Sequence, residues 1–471
     1  MARIMLSRIP ASGRDLEDYV AGMFQAAGYF VEKNIRQRDV ADVLELDAVA
    51  TSYDDPLPRS VLAEAKGGRW GFTDIFKVAG WMQYLGIDRG GFFVKDHAST
   101  PARDVALVHR TAAPLGVSLV DLGDFSDPIA RFGEGGFRGL VDPVVLEVWR
   151  FSYWVERTLL DKVREDRRSM PARKGALAVL VYHDLINDHV FFIKDVAERL
   201  RRLYAAYRDH PKLSAAVASE LGASQATPDE GAPRAGESFD EAARPRRRGP
   251  PRDNRVLAEA LYEGKHPCVQ ASFYVEHRAR LSILKAAIDL CCLATAAPAG
   301  GAGRDDARAT LAALPATFRD GLRRLRARPT FHRYALLWQV FLWGFGGFYL
   351  ADREAEEFAW LSRQTGVPRG EIGEALRAFD DLFPLPEGSW IVPIKNSPVR
   401  LMRMMPLAFR GVGAVQRLRR REAKNYDGFG AGWVGRRNLI TWHNGLIQLL
   451  AGCRPKGSPD RAPAAARASA G

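Results

Sequence analysis

The segment Val61-Leu62-Ala63-Glu64-Ala65-Lys66 ends a short apolar run with a carboxylate and a lysine two residues apart. Side chains of a β-strand alternate between its two faces, so we expect Glu64 and Lys66 on one face and the alternate apolar residues on the other, in a core. A second apolar run, Leu46-Asp47-Ala48-Val49-Ala50, precedes it, and turn-forming residues separate the two. The two runs predict a β-hairpin that brings Asp47 alongside Glu64.

These residue types indicate metal-dependent cleavage of phosphodiesters. Two carboxylates that meet at one point can hold a hard cation such as Mg²⁺, which usually keeps several of its waters. The ammonium group of Lys66 can orient an attacking water or offset the charge that develops on the phosphate. Asp42 and Glu45 are nearby acids that compete for the same role, and strand alternation places Glu45 on the face of Asp47.

The surrounding residues predict an α/β layer in the order helix, three strands, helix, strand, helix, strand. Apolar periodicity and glycine breaks give helices near residues 13–27, 73–85 and 101–109, and strands near residues 29–31, 44–51, 60–66, 92–94 and 117–120. We expect such a layer to be compact enough to fold alone.

Taken with Gly13, Glu17 and the segment Gly28-Tyr29-Phe30-Val31, the pattern Asp47…Glu64-Ala65-Lys66 resembles the PD-(D/E)xK nuclease superfamily. The nearest resemblance is to Mrr-type restriction endonucleases and archaeal Holliday-junction resolvases, and it covers about the first 125 residues. It implies a restriction-endonuclease-like fold, which is a central mixed sheet flanked by helices. It also implies a Mg²⁺ ion, or Mn²⁺ in its place, and DNA as the partner.

The same resemblance implies roles for individual residues. Asp47, Glu64, Glu17 and the Ala65 carbonyl would be the metal ligands, and Asp47, Glu64, Lys66 and Glu17 would be the catalytic residues. The helix after the motif, with its side chains Lys77, Gln83 and Tyr84, would face the nucleic acid. Two departures from the family are Leu46, where the family has the proline that names the motif, and Ile87, which replaces the tyrosine of the Gln-x-x-x-Tyr signature.

Other interpretations of the motif stay open. A Glu-x-Lys pair often occurs as a solvated pair with no function. Glu17 stands next to Asp15 and Asp18, so exposed helix surface is an equal alternative for it. The nuclease fold can also occur without activity, as a DNA-binding or scaffold subunit of a defence complex.

Composition bounds the class of protein. The 471 residues exceed one ordinary core, and the net charge of +12 suits a polyanionic partner, although a general preference for arginine explains part of it. The four cysteines have no metal-binding spacing, and the N-terminal residues have no sustained apolar stretch, so we expect a cytoplasmic protein. His183 and His189 also lack ligand spacing. The apolar run from Tyr334 to Ala351, broken by Gln339, is nearly long enough for a membrane span, but its composition favours a buried helix and no membrane.

The predicted domain organisation has five parts. They are a nuclease domain (1–125), a helical region (126–222), a disordered linker (223–253), a helical domain (254–452) and a disordered tail (453–471). Within the helical domain, residues 354–404 have the spacing of a helix-turn-helix around Gly366 followed by a hairpin, which is a candidate winged helix; a helical corner that never meets DNA has the same spacing. The basic runs 244–248 and 417–421 either contact phosphate or are solvated.

The sequence therefore predicts a Mg²⁺-dependent DNA endonuclease in restriction, phage defence or repair. The alternatives are the inactive binding or scaffold protein and, more remotely, a peripheral membrane protein. Whether partner proteins of a defence system or a second copy in a homodimer take part is left open.

Overall fold

The computed structural model describes residues 9–10, 13–37, 44–95, 102–123, 128–139, 141–169, 177, 179–181, 183–184, 195–208, 267–296, 302–384, 388–393 and 396–402, with residues 419, 422, 423, 426, 443 and 446. The predicted linker 223–253 and tail 453–471 lie outside the described residues, as do Asp42, His189 and the basic run 244–248.

The N-terminal part is a five-stranded mixed sheet flanked by helices, as the sequence predicts. The strands lie in the order β1-β2-β3-β4-β5; the first three are antiparallel, and β3, β4 and β5 are parallel to one another. In chain order the elements are α1 (Arg14–Ala26), β1 (Phe30–Gln37), β2 (Leu44–Ser52), β3 (Arg59–Lys66), α2 (Phe72–Leu85), β4 (Arg89–Val94), α3 (Ala102–Ala112) and β5 (Val117–Asp121).

Both faces of the sheet are covered, because β3 supplies apolar side chains to two cores. Val61 and Ala63 lie in the core on the side of α1, whereas Leu62 packs with Ile75 and Val78 of α2 on the other side. The face that carries Glu64 is therefore shielded by α2, and Glu64 itself is buried.

Midway along the β1–β2 pair, the side chains of β2 change from one face of the sheet to the other. Leu46 and Ala48 are two residues apart and would share a face in a regular strand. Instead, Leu46 lies in the core on the α2 side and Ala48 in the core on the α1 side. Asn34 stands opposite Asp47 in the register and has a φ of 54°, a left-handed conformation that asparagine tolerates better than most residues. The change of face thus occurs at Asp47.

The α/β layer continues past the predicted boundary at residue 125. A further helix, α4 (Pro128–Glu134), follows β5. Phe132 and Phe137 pack with Phe24 of α1 and Phe93 of β4, with ring centroids 4.9 to 6.3 Å apart. This aromatic cluster extends the layer to about Phe137.

The helical region shares its core with this layer. One continuous apolar cluster runs from α1 into the two long helices α5 (Pro143–Ser169) and α7 (Pro267–Ala296). The Tyr53 hydroxyl, in the turn between β2 and β3, donates to Asp289 Oδ1 at 3.0 Å. The shared core argues against the expectation that the layer is compact enough to fold alone. Between and after the long helices lie α6 (Val196–Arg208), α8 (Ala302–Ala313) and α9 (Ala316–Arg326).

The apolar run 334–351 is not one helix. It divides into α10 (Tyr334–Gln339), a π-helical turn (Val340–Phe345) and the strand β6 (Phe348–Leu350), and its side chains are largely buried. Within the described ranges, no helix is long and apolar enough to cross a membrane.

The helix–glycine–helix and hairpin elements predicted for residues 354–404 are confirmed. Helix α11 (Glu354–Thr365) ends at Gly366, which has a φ of 70°, and α12 (Ile372–Leu382) follows. Strands β7 (Ile391–Pro393) and β8 (Val399–Met402) pair antiparallel, and β6 joins them in the order β6-β8-β7.

Candidate functional site

Asp47 and Glu64 stand opposite each other where β2 and β3 cease to pair. The paired register of the hairpin ends at Ala48 and Ala63, so Asp47 and Glu64 are the next residues on the two strands. The Ala65 backbone N–H donates to Asp47 Oδ2 at 2.7 Å, which fixes one oxygen of this carboxylate against the neighbouring strand. The hairpin thus holds the two acids together, as the sequence predicts.

The two oxygens of Glu64 have different environments. Lys77 Nζ, on α2, lies 3.5 Å from Glu64 Oε1. Glu64 Oε2 is buried and accepts no hydrogen bond from any residue that the structure describes. A buried carboxylate oxygen without a donor is unfavourable unless a cation or a donor reaches it.

Lys66 lies on the same side of the sheet as Glu64, as alternation predicts. The partner of its side chain is on α2, as is the partner of Glu64. Lys66 Nζ lies 3.2 Å from Asp74 Oδ1. The other oxygen of Asp74 accepts the Gly71 backbone N–H at 2.9 Å, at the start of the helix. The first turn of α2 therefore positions the lysine through Asp74.

Glu17, in the first turn of α1, is half-buried, and its charge acts on the two strand acids. Burial raises the pKa of Asp47 well above its usual value, and the negative charges of Glu64 and Glu17 raise it further. Burial also raises the pKa of Glu64, with the charge of Glu17 adding to it and Lys77 and Lys66 opposing it. Glu17 therefore lies within electrostatic reach of both strand acids, and its part in a metal site stays a prediction.

Glu45 has a different environment from these acids. Its side chain is exposed and paired with the Arg36 guanidinium, with the Arg36 Nε 2.8 Å from Glu45 Oε1. Its charge still contributes to the raised pKa of Asp47. Glu45 is therefore a neighbour of the site whose own partner is an arginine of β1.

The donor set fits a hard divalent cation in its chemistry. Asp47, Glu64 and Glu17 supply carboxylate oxygens, and Mg²⁺ and Mn²⁺ prefer oxygen ligands. The partnerless Glu64 Oε2 and the raised pKa of Asp47 are both unfavourable features that a cation would relieve. No three His, Cys, Asp or Glu side chains of the described residues already form a ligand cluster, so the carboxylates would have to move together to hold the ion.

The partners on α2 are what the sequence reasoning missed. Lys77, which the resemblance places toward nucleic acid, is exposed and also reaches Glu64, and its Nζ lies 4.1 Å from the Trp81 ring centroid. Asp74 was not singled out. Asp74, Lys77 and Trp81 are spaced three and four residues apart, so a helical projection of α2 would have shown that they share one face.

A buried lysine also lies behind Glu17. Lys33 of β1 pairs with Asp18 of α1, and its Nζ lies 4.4 Å from the Tyr153 ring centroid. Burial raises the pKa of Glu17, and the positive charge of Lys33 opposes that rise. Burial also lowers the pKa of Lys33 itself to about 7, so this opposition weakens as Lys33 loses its proton above neutral pH.

The other candidate sites in the sequence do not gather at this point. Of the basic run 417–421, only Arg419 is described; it is buried, and it donates to Ser152 Oγ at 3.1 Å, so it is a core residue rather than a phosphate contact. His183 contacts Asp184. Cys291 and Cys292 are buried free thiols.

Comparison of the chain with protein-family models, with curated proteins and with solved structures finds no match. Function is therefore inferred from the chain's own residues.

Proposed function

We propose that this protein is a Mg²⁺-dependent endonuclease that hydrolyses DNA phosphodiester bonds, in restriction, phage defence or repair. One observation carries the proposal. Asp47 and Glu64 are neighbours where β2 and β3 cease to pair, and burial together with the charges of Glu64 and Glu17 raises the pKa of Asp47. A fold that holds like charges together in a partly buried place tolerates that repulsion most readily when a cation binds there.

The residues have distinct roles in this proposal. Asp47, Glu64 and Glu17, with the Ala65 carbonyl, would hold the metal ion. When bound, the ion would polarise the phosphate and lower the pKa of a coordinated water. Lys66 would exchange its contact with Asp74 for a phosphate oxygen or the attacking water, and so offset the charge that develops during in-line attack.

A second function is favoured by a specific observation. Glu64 and Lys66 are already paired with Lys77 and Asp74. Internal ion pairs of this kind would also suit a nuclease fold that has no activity and serves as a DNA-binding or scaffold subunit. Partner proteins or a second copy would then carry out the function.

Plasmid nicking in Mg²⁺ separates the two functions. We expect Asp47→Asn and Lys66→Ala each to lower the nicking rate by about 100-fold or more, since one removes a metal ligand's charge and the other a cation at the phosphate. Glu45→Gln is the matched control, because it removes an acidic charge from the same strand without touching the proposed ligands; its rate should stay within about threefold of wild type.

Circular dichroism would show that all three variants are folded. If wild type nicks no faster than Asp47→Asn and Lys66→Ala, hydrolysis is wrong and the scaffold function takes its place. If Glu45→Gln is as inactive as Asp47→Asn, the ligand assignment on β2 is wrong.

We further propose that residues 334–402 form a winged helix used as scaffold. The order α10, β6, α11, α12, β7, β8 and the sheet order β6-β8-β7 support the winged helix. Its third helix, α12, packs against α9. Arg324 of α9 and Arg328, two residues after α9 ends, contact Asp381 at 2.9 and 3.3 Å. A helix held in this way by its own chain is poorly placed to enter a DNA groove.

A further inference from the structure

Exposed aromatic side chains form a stripe along α2, the helix that positions Glu64 and Lys66. Phe72 is 36% exposed and Phe76 is 56% exposed, and Tyr84 on the same helix is 42% exposed. At 100° per residue, these three positions and Gly80 fall within one third of the helix circumference. Ile75 and other apolar residues of α2 take the opposite side, in the core.

This concentration is not a general property of the surface. Large apolar side chains on protein surfaces usually occur singly and need no explanation. Among the described residues, six large hydrophobic side chains are exposed, and three of them belong to this one helix. Phe72 and Phe76 are one helical turn apart, so both side chains lie on the same exposed face of α2.

The stripe adjoins the candidate active site. Phe72 and Phe76 flank Asp74 in sequence, and Asp74 contacts Lys66. Phe76 is followed directly by Lys77, which contacts Glu64. At 100° per residue, Asp74 and Lys77 lie about 160° and about 100° around the helix from Phe76. A strand on the stripe would therefore reach the proposed metal ligands by crossing the exposed side of α2 past Lys77, which is itself exposed.

Positive charge accompanies the rings. Arg69, in the loop before α2, and Lys77 are exposed, and Lys66 is partly exposed. Rings interspersed with cations suit a polyanion that also presents flat apolar faces, which is the chemistry of a nucleic-acid strand with unpaired bases. Paired bases keep their faces within the stack, so a duplex offers the rings no equivalent contact.

We propose that the stripe of Phe72 and Phe76 binds unpaired bases, and that the protein acts on nucleic acid with a single-stranded segment, such as a flap, gap or loop. The proposal rests on the proposed function in that it names the substrate of the same site. The bases stack on the two rings, Arg69 and Lys77 contact the phosphates, and the strand continues toward Glu64 and Lys66.

Binding of fluorescein-labelled oligothymidylate by the full chain, in Ca²⁺ in place of Mg²⁺, tests the proposal. Phe76→Leu and Phe72→Leu keep apolar surface but remove the ring, and each should weaken binding by about fivefold or more. Phe76→Trp should bind as tightly as wild type. Leu107→Ala is the matched control: Leu107 is 43% exposed on α3, which packs against β5, two strands from β3, and its loss should leave binding unchanged.

Two further measurements complete the experiment: binding of a blunt DNA duplex, and the oligomeric mass from light scattering. The proposal is overturned if Phe76→Leu binds oligothymidylate as wild type does, or if it weakens single-strand and duplex binding equally. It is also overturned if Phe76→Leu lowers the oligomeric mass while single-strand binding persists, because the stripe is then a protein contact. The Asp47→Asn chain keeps the two proposals apart. This variant should bind oligothymidylate as wild type does and should not nick plasmid. A failure of the hydrolysis proposal is therefore distinguishable from a failure of the base-binding proposal.

Discussion

At the scale of single residues, the charge of Asp47 suits the proposed metal site but destabilises the folded state. Its carboxylate is held against β3 by the Ala65 N–H, yet burial and the charges of Glu64 and Glu17 raise its pKa well above the usual value. An acid whose pKa is higher in the folded state than in the unfolded chain binds its proton more tightly when folded. Its ionisation above the unfolded pKa therefore lowers the free energy of unfolding.

Asp47→Asn should accordingly stabilise the fold while it abolishes activity. In the presence of a chelator at pH 8, we expect its thermal midpoint to exceed that of wild type, and the difference to shrink as the pH falls through the folded pKa of Asp47 toward 4. The amide oxygen can still accept the Ala65 N–H. Thermal unfolding followed by circular dichroism measures the effect.

Mg²⁺ should reverse that order. It should raise the midpoint of wild type, because it binds the folded state, and leave Asp47→Asn almost unchanged. Glu45→Gln serves as the control and should follow wild type in both conditions. A lower thermal midpoint for Asp47→Asn than for wild type, at pH 8 without metal, would show that the charge of Asp47 does not destabilise the fold.

At the scale of elements, the hairpin and its motif were predictable and the contacts of the helices were not. Alternation in β3 is a local property, so it placed Glu64 and Lys66 on one side correctly, whereas the change of face in β2 at Asp47 was not predicted. The partners Asp74 and Lys77 depend on how α2 is rotated above the sheet, which is decided by packing. The same limit applies to α12: its presence was predicted, but its packing against α9 was not.

The α9–α12 contact makes Gly321 indispensable. A Cβ at this position would lie 2.2 Å from the Asp381 backbone oxygen, which cannot move as a flexible side chain can. Alanine in a helix interior is normally favoured over glycine by about 1 kcal/mol. We expect Gly321→Ala to lower the free energy of unfolding by about 2 kcal/mol instead, because the two helices must separate. Urea denaturation measures the change.

Gly80 of α2 is the matched control for this substitution. Apart from its chain neighbours and the nearby backbone of α2, no atom of the described residues lies within 4 Å of a Cβ built at Gly80, so Gly80→Ala should raise the free energy of unfolding by about 0.5–1 kcal/mol. If both variants are stabilised, α9 and α12 do not pack as closely as the structure shows, and the scaffold role of α12 loses its support.

At the scale of the whole molecule, the helical region completes the sheet. β1 is an edge strand, and an edge leaves backbone groups without partners. Gln339 of α10 supplies them: its Oε1 accepts the Val31 N–H at 2.9 Å and its Nε2 donates to the Val31 carbonyl at 2.8 Å. The same Oε1 accepts from Gln25 Nε2 of α1 at 2.8 Å.

This contact joins the layer to the helices, which the sequence analysis placed in separate domains. Gln339 was visible in the sequence as the polar interruption of an apolar run, which raised the question of a membrane. Nothing local connects it to Val31, 308 residues earlier. A polar side chain that pairs with a strand edge can be recognised only once the chain has folded, so a linear reading assigned the two segments to separate domains.

Gln339→Leu should therefore destabilise the whole protein. Leucine is similar in size, but it leaves the buried Val31 N–H and carbonyl without partners, at about 1–3 kcal/mol for each group. We expect the free energy of unfolding to fall by about 2–4 kcal/mol, whereas Gln83→Leu, on the exposed side of α2, should change it by less than about 0.5 kcal/mol. Circular dichroism and tryptophan fluorescence should report one coincident transition in wild type and variant alike, because the layer and the helices share a core. Two separated transitions in wild type would instead mean that the α/β layer folds independently. The Gln339 contact would then connect two separate domains.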